Sequence, residues 1–369
     1  MRIGILTFHR AYNCGAMLQA WALKKTLERM GHRAEFPACN HVGESGRWQY
    51  GWINPDKKGV VAKIRSVLGR FVVNACSIPN YDILRHRYRV FRRRHLPERR
   101  IAPADFASCY DILVVGSDQV FSIHHTSEEA ALFLCESKPK TVPAIAYAAS
   151  YGDSPLAGEC LERLGRALAN FKAVSVRESL AREQLSAFAE RPVAETLDPT
   201  LLVSASDYDE IAGGEVPREP YLLLYALDTN AFFVETARAL AARLGVRCVI
   251  APCYAYSKLG APEDFEFLVS PDRLVQYARQ ARYVLAGSFH GTVMGVVFGK
   301  PFLSLREQVD EHDSRPAALL RKLGCPERLV NPQVSIDEME RLLRLGAPDV
   351  EQKLESLREE SLTWLRSQL

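Results

Sequence analysis

Residues 3–15 read Ile3-Gly4-Ile5-Leu6-Thr7-Phe8-His9-Arg10-Ala11-Tyr12-Asn13-Cys14-Gly15. The run Ile3–Thr7 is short and apolar, as a buried strand requires. From Gly15 onward apolar residues recur at Ala16, Leu18, Ala20, Leu23, Leu27 and Met30, and Gly31 offers a stop. That spacing is helical. A strand, a loop and a helix are therefore predicted. The same unit recurs downstream: strands at Ile112–Val115, Val142–Ala148 and Ala173–Val176 alternate with helical spacing over Leu156–Leu168 and Leu180–Phe188. After Pro199 it recurs again. Strands are predicted at Tyr221–Ala226, Cys248–Ala251, Val284–Ala286 and Phe302–Leu305, with helices near Ala231–Leu244, Asp272–Ala281 and His290–Phe298. Alternation of this kind predicts an α/β protein with parallel sheets covered on both faces. It divides into an N-terminal Rossmann-like domain over residues 1–200, a C-terminal one over 201–345, and an amphipathic helix over 346–369 that clasps the two. The stretch Leu201–Pro220, rich in Asp, Gly, Ser and Pro, reads as the linker.

A chain of 369 residues exceeds the size at which single cores stop growing, which agrees with two domains. With 47% apolar and 25% charged residues it has the composition of a globular protein, not a disordered or fibrous one. The net charge of +3 is too small to indicate nucleic acid. Nine cysteines stand singly, without a C-x-x-C pair, which fits reduced thiols and a cytoplasmic location. The N-terminal apolar run is too short for a signal peptide, and no stretch is long and apolar enough to span a bilayer.

Ligands of open α/β sheets bind beyond the carboxyl ends of the strands, where loops lead into helix N-termini. Four segments stand at such ends: Gly4 to Gln19, Asp111 to Gln119, Ala173 to Glu178 together with Leu197-Asp198-Pro199-Thr200, and Gly287-Ser288-Phe289-His290-Gly291-Thr292. In order and spacing they resemble the polysaccharide pyruvyl transferase family. The resemblance implies a fold similar to the GT-B glycosyltransferases, with the two domains facing across a cleft. It also implies transfer of the carbon skeleton of phosphoenolpyruvate onto a sugar of a polysaccharide or lipid-linked glycan intermediate. The product would be a pyruvate ketal and the leaving group phosphate, with phosphoenolpyruvate as donor substrate and no cofactor. Exopolysaccharide and other cell-surface glycan biosynthesis would be the setting.

His290 is the centre of the expected site. A helix begins beside it, so free amides and the imidazole together suit an anion. A histidine can also protonate the methylene carbon of the donor. A packed or capping histidine is the plain alternative. Ser288 and Thr292 can cap that helix or donate to a phosphate oxygen, while Gly287 and Gly291 permit close backbone approach. In some family members an arginine stands two residues before this histidine; here the position is Ser288. Cations must then come from elsewhere. Arg177 is indicated by the resemblance, and Arg315 and Arg306 can supply the other; each has a surface ion pair as its alternative. Asp118 can accept a proton from an attacking hydroxyl, with Ser117 and Gln119 beside it as sugar contacts, or it can simply form a turn. Asn13 and Gly15 open the first helix on the acceptor side. Cys14 reads as a buried thiol rather than a nucleophile, and Asp198 as a turn former.

Residues 85–100 contain eight arginines. A solvated helical face is the default reading. The run also suits an anionic lipid diphosphate or peripheral contact with the inner membrane surface. No nucleic-acid motif accompanies it, and no metal set stands out, His124 and His125 lacking a recognised ligand spacing. Two other functions fit the same residues: a GT-B-like glycosyltransferase using a nucleotide sugar, and an inactive glycan-binding homologue.

Overall fold

The structure, a computed structural model, describes residues 1–39, 82–122, 127–152, 156–227, 230–252, 263–266, 268–308, 314–347 and 349–369. His124, His125, Cys76, Cys253 and Asp313 lie outside them, as do residues 60–73, whose sequence is amphipathic.

The first half contains β1 (Arg2–Leu6), α1 (Cys14–Arg29), β2 (Arg33–Ala38), a helix α2 at 82–95, β3 (Glu98–Arg100), α3 (Phe106–Cys109), β4 (Ile112–Val115), α4 (Ser127–Phe133), β5 (Ala144–Ala149), α5 (Gly158–Ala167), β6 (Ala173–Val176), α6 (Ser179–Ser186) and β7 (Val193–Glu195). These strands form one parallel sheet in the order β3-β2-β1-β4-β5-β6-β7. The second half contains β8 (Tyr221–Ala226), α7 (Ala231–Leu244), β9 (Arg247–Pro252), α8 (Pro271–Gln280), β10 (Tyr283–Gly287), α9 (Phe289–Val297), β11 (Phe302–Leu305), α10 (Arg315–Lys322), β12 (Leu329–Val330) and α11 (Ile336–Leu345), and α12 (Val350–Gln368) closes the chain. Its strands are also parallel, in the order β12-β11-β10-β8-β9.

Both orders are doubly wound. The first follows the 3-2-1-4-5-6 pattern with a strand added; the second, counted from β8, follows 2-1-3-4-5. In each sheet the winding reverses once, between β1 and β4 and between β8 and β10. A crevice opens at those reversals because the flanking helices leave in opposite directions. β4, β5 and β8 are buried at every residue, which is why each reads as an unbroken apolar run.

Four strands carry no such run. β2 holds a proline and two charged residues, β3 is Glu-Arg-Arg with no buried residue, and β7 and β12 are edge strands of three and two residues. The arginine run is accordingly not one helical face. The helix ends at 95, Pro97 follows, and Glu98–Arg100 pair with Phe36–Ala38. Within the helix Tyr88 and Phe91 are buried.

The stretch expected as a linker is packed. Leu201, Leu202, Val203 and Tyr208 are buried, and the Tyr208 ring lies 5.1 Å from Trp21 on α1 and 5.7 Å from Phe298 at the end of α9. A single apolar cluster runs from α1 through Leu201 and Tyr208 to α8 and α9. Its turn-rich composition hid these anchors, each useful only once both sheets exist. α12 runs back over the first half: Ser361 Oγ accepts from the Leu197 amide at 3.0 Å, and Arg358 Nε donates to the Leu201 carbonyl at 2.8 Å.

Candidate active site at the two switch points

α1 follows the switch-point strand β1, and α9 follows its counterpart β10. Asn13 caps α1, its side-chain oxygen accepting from the Ala16 amide at 3.1 Å. Ser288 caps α9 in the same way, accepting from the Gly291 amide at 3.1 Å. Both helices are buried over nearly their whole circumference because each has a sheet on one side and the opposite half of the molecule on the other. Their N-termini meet. A Cβ on Gly15 would fall 2.1 Å from His290 Nδ1, so only glycine allows the imidazole to lie there. The positive ends of two helix dipoles are thereby directed at one place.

Arg177, just past β6, completes the meeting point from the first half. Its guanidinium is 4.4 Å from the centre of the Phe289 ring of α9. NH1 donates to Asp198 Oδ2 at 2.5 Å, Nε donates to Glu178 Oε1 at 3.2 Å, and NH2 stands 4.0 Å from Asp118 Oδ1. Burial works against this charge, but Glu178, Asp198 and Asp118 outweigh it and hold the guanidinium above its ordinary pKa. Asp198 is the hub. Its Oδ1 accepts from the amide and hydroxyl of Thr200, and its Oδ2 accepts from Ser117 Oγ at 3.1 Å as well as from Arg177. His290 Nε2 lies 3.8 Å from the same oxygen, an ion-pair distance too long for a hydrogen bond. Burial alone would raise the Asp198 carboxyl; His290, Arg177 and Thr200 reverse that and hold it well below the carboxylate range. Glu178, buried beside it, is pushed up by its desolvation.

Two buried donors in this cluster, Arg177 NH2 and His290 Nε2, have no hydrogen-bond partner. Buried polar atoms are nearly always paired, so an orphan calls for a function or a guest. The space beside Arg177 is narrow. A hollow bounded by Arg177, Glu178, Asp198, Phe289, Arg315 and Lys322 has a volume of about 10 Å³, room for a single water. Arg315 begins α10 and adds its charge to Glu178 from the second half, while Lys322 pairs with Glu195 at 2.5 Å.

The other expected residues divide in two. Asp118 stands beside Arg177, its side chain 17% exposed, with φ of 70°, a left-handed conformation that asparagine and aspartate tolerate better than most residues. Gln119 beside it is half-buried. Ser117 and Thr292 are fully buried and occupied: Ser117 Oγ bonds the Ala148 carbonyl and Asp198, and Thr292 Oγ1 bonds the Ser288 carbonyl and Ser304. As placed, these two hydroxyls support the loops instead of facing a substrate. Gly287 is required by packing against Phe233 and Ala226, and a Cβ on Gly291 would press tightly on Ala286, Ser288 and Tyr225. Cys14 is buried against the Tyr88 hydroxyl at 2.9 Å. Arg306 follows β11 and does not line the hollow. Sequence reasoning missed Asp198 as the hub, and Glu178 and Phe289 as partners of Arg177; Leu197-Asp198-Pro199-Thr200 was the available signal. Among the described residues no group of His, Cys, Asp and Glu is placed to hold a metal, and no helix is long and apolar enough to cross a membrane.

Two all-parallel α/β sheets, with a polar cluster shared between their switch points, define a GT-B-like architecture. The chain belongs to the polysaccharide pyruvyl transferase family, whose sequence pattern matches residues 13–308. It is similar in fold to the UDP-GlcNAc 2-epimerase of Methanocaldococcus jannaschii in complex with UDP-GlcNAc and UDP, at 10% identity over 94% of this chain and 93% of that one with a TM-score of 0.46. It is similar also to the UDP-N-acetylglucosamine 2-epimerase of Rickettsia bellii (12% identity, 99% and 96% coverage, TM-score 0.49). A third such structure is a spinosyn rhamnosyltransferase complexed with spinosyn aglycone (14% identity, 100% and 99% coverage, TM-score 0.43). No curated protein sequence matches the chain.

Proposed function

We propose that this protein transfers the pyruvyl group of phosphoenolpyruvate to two hydroxyls of a sugar acceptor, forming a ketal and releasing phosphate. The observation that carries the reading is the convergence of two helix N-termini with two orphaned buried donors, Arg177 NH2 and His290 Nε2, from opposite halves of the molecule. A small trianion suits such a place: guanidinium and amide donors match phosphate and carboxylate oxygens. Arg315, arriving from α10, supplies a cation where Ser288 offers only a cap.

In this reading His290 delivers a proton to the donor's methylene carbon as positive charge develops at the adjacent carbon. Asp118 accepts the proton of the first sugar hydroxyl as its oxygen bonds to that carbon. Phosphate then departs with the pair of electrons of the broken C–O bond, and the second hydroxyl closes the ring. Of the two hydroxyl protons lost, one balances the new methyl group and the other leaves with the phosphate. Because the hollow holds only about 10 Å³, admission of the donor requires the two halves to part, and their closing again expels water from the reacting carbon.

The test is inorganic phosphate release from phosphoenolpyruvate in the presence of a panel of sugar acceptors. Acceptor-dependent release, lost in His290→Ala and in Arg177→Met, is expected. Nucleoside diphosphate release from nucleotide sugars, with none from phosphoenolpyruvate, would instead establish a glycosyltransferase, and binding without either release an inactive homologue.

A further inference from the structure

A cleft of about 1270 Å³ lies at the other side of the first sheet, where β2 and β3 end, away from the Arg177 hub. β3 and β6 are five strand spacings apart in the sheet, about 24 Å. The cleft therefore cannot be part of the hollow at Arg177. Four arginines line it: Arg10 after β1, Arg92 and Arg93 on α2, and Arg100 at the end of β3.

Two of the four are fixed in place. Glu98, whose side chain is 21% exposed, accepts from Arg10 Nε at 3.0 Å and from Arg10 NH2 at 2.9 Å, and lies 3.3 Å from both Arg92 Nε and His9 Nε2. Partial burial opposes its charge, but His9, Arg10 and Arg92 pull the carboxyl down to about 2, so it stays ionised as an anchor. The other two, Arg93 and Arg100, are exposed and form no ion pair among the described residues. Asp105 and Glu128 are the remaining acids of the lining, and neither pairs with an arginine there. The lining also includes the apolar side chains of Leu96, Ile101 and Leu132.

We propose that this cleft is a second anion site, taking a phosphate or diphosphate ester whose less polar body lies along the Leu96, Ile101 and Leu132 wall. Two unengaged guanidiniums beside two anchored ones match a multiply charged oxyanion, since guanidinium donors fork onto phosphate oxygens. The volume far exceeds a bare phosphate and leaves room for a whole organic ligand. The apolar wall distinguishes an ester from a free anion.

Calorimetric titration of the full chain with inorganic phosphate, inorganic diphosphate, hexyl phosphate and hexyl glucoside tests this, against Arg93→Ala/Arg100→Ala. Both side chains are exposed, so the double variant keeps its packing, and it leaves the Arg177 hub untouched. Hexyl phosphate is expected to bind about ten-fold more tightly than inorganic phosphate and to lose about ten-fold in the double variant. Unchanged affinity in that variant, or hexyl glucoside bound as tightly as hexyl phosphate, overturns the proposal. Inorganic diphosphate binding as tightly as hexyl phosphate, with the same loss in the variant, supports the anion site and overturns the apolar subsite. None of these readouts depends on pyruvyl transfer, so the failure of one proposal leaves the other standing.

Discussion

The two switch points do different work. After β4 the chain is irregular, with positive φ at Gly116 and Asp118, and Asp118 is joined by Arg177 and Glu178 from the end of β6 and Asp198 from beyond β7. After β10 the turn into α9 is regular, capped by Ser288, and His290 is the one ionisable side chain of the helix. One half thus supplies charge on irregular loops, and the other a preformed helix end that holds an imidazole in place. A charged loop alone would be repelled by its own like charges or solvated; a helix end alone would select no particular anion. Pressing them together across an apolar seam removes water, which strengthens every polar contact between them and makes any unpaired one costly.

The sharpest way to break this contrast is Asp198→Ala. It leaves the buried Arg177 without its closest carboxylate and should destabilise the fold by about 3–5 kcal/mol in urea denaturation. A loss below about 1 kcal/mol would mean that Glu178 and Asp118 suffice and that Asp198 is no hub. Gly15→Ala probes the opposite side. Its new methyl group displaces the His290 ring, so acceptor-dependent phosphate release should fall about 100-fold, and the overpacked contact should lower stability by about 1–3 kcal/mol. If activity survives, the imidazole's position on α1 is irrelevant to the chemistry. Ser288→Ala removes the α9 cap and should cost about 1 kcal/mol, with Ser288→Asn close to neutral; denaturation midpoints of the two variants decide.

A further effect lies outside both switch points and serves as their control. Glu98 is held at about 2 in the folded state against an ordinary value of about 4.3. The stabilisation from this depressed carboxyl is fully present above the ordinary value and is lost as pH falls toward 2. Glu98→Gln should therefore flatten the loss of stability between pH 5 and pH 2.5 while leaving phosphate release at neutral pH unaltered. An unchanged acid transition would show that the arginines do not hold this charge.

Several elements were legible before any coordinates. Tyr221–Ala226, Ile112–Val115, Ala173–Val176 and Phe302–Leu305 lie where apolar runs predict strands, because strands buried on both faces have no other composition open to them. The paired edge strand Glu98–Arg100 was not legible, since its backbone bonds to β2 leave no mark on its side chains. Tyr208 was hidden in a turn-rich stretch for a similar reason. For the candidate site, the segment around His290 could be read as a strand leading into a helix N-terminus. That Ser117 and Thr292 would turn inward, and that Asp198 would gather Arg177, Thr200 and Ser117, could not.

By itself the sequence determined two doubly wound halves, the helix N-termini at Asn13 and Ser288, and membership of a family of transferases. Those properties are local: periodicity, capping residues and short motifs act over a few residues, where neighbours in the chain are neighbours in space. Tertiary structure alone decided that Gly15 lies against His290, that Arg177 stacks on Phe289, and that the arginines at Arg10, Arg92, Arg93 and Arg100 surround a cleft of their own. Each joins residues tens to hundreds of positions apart, and which partner a buried charge meets depends on how two sheets pack, not on what flanks it in the chain.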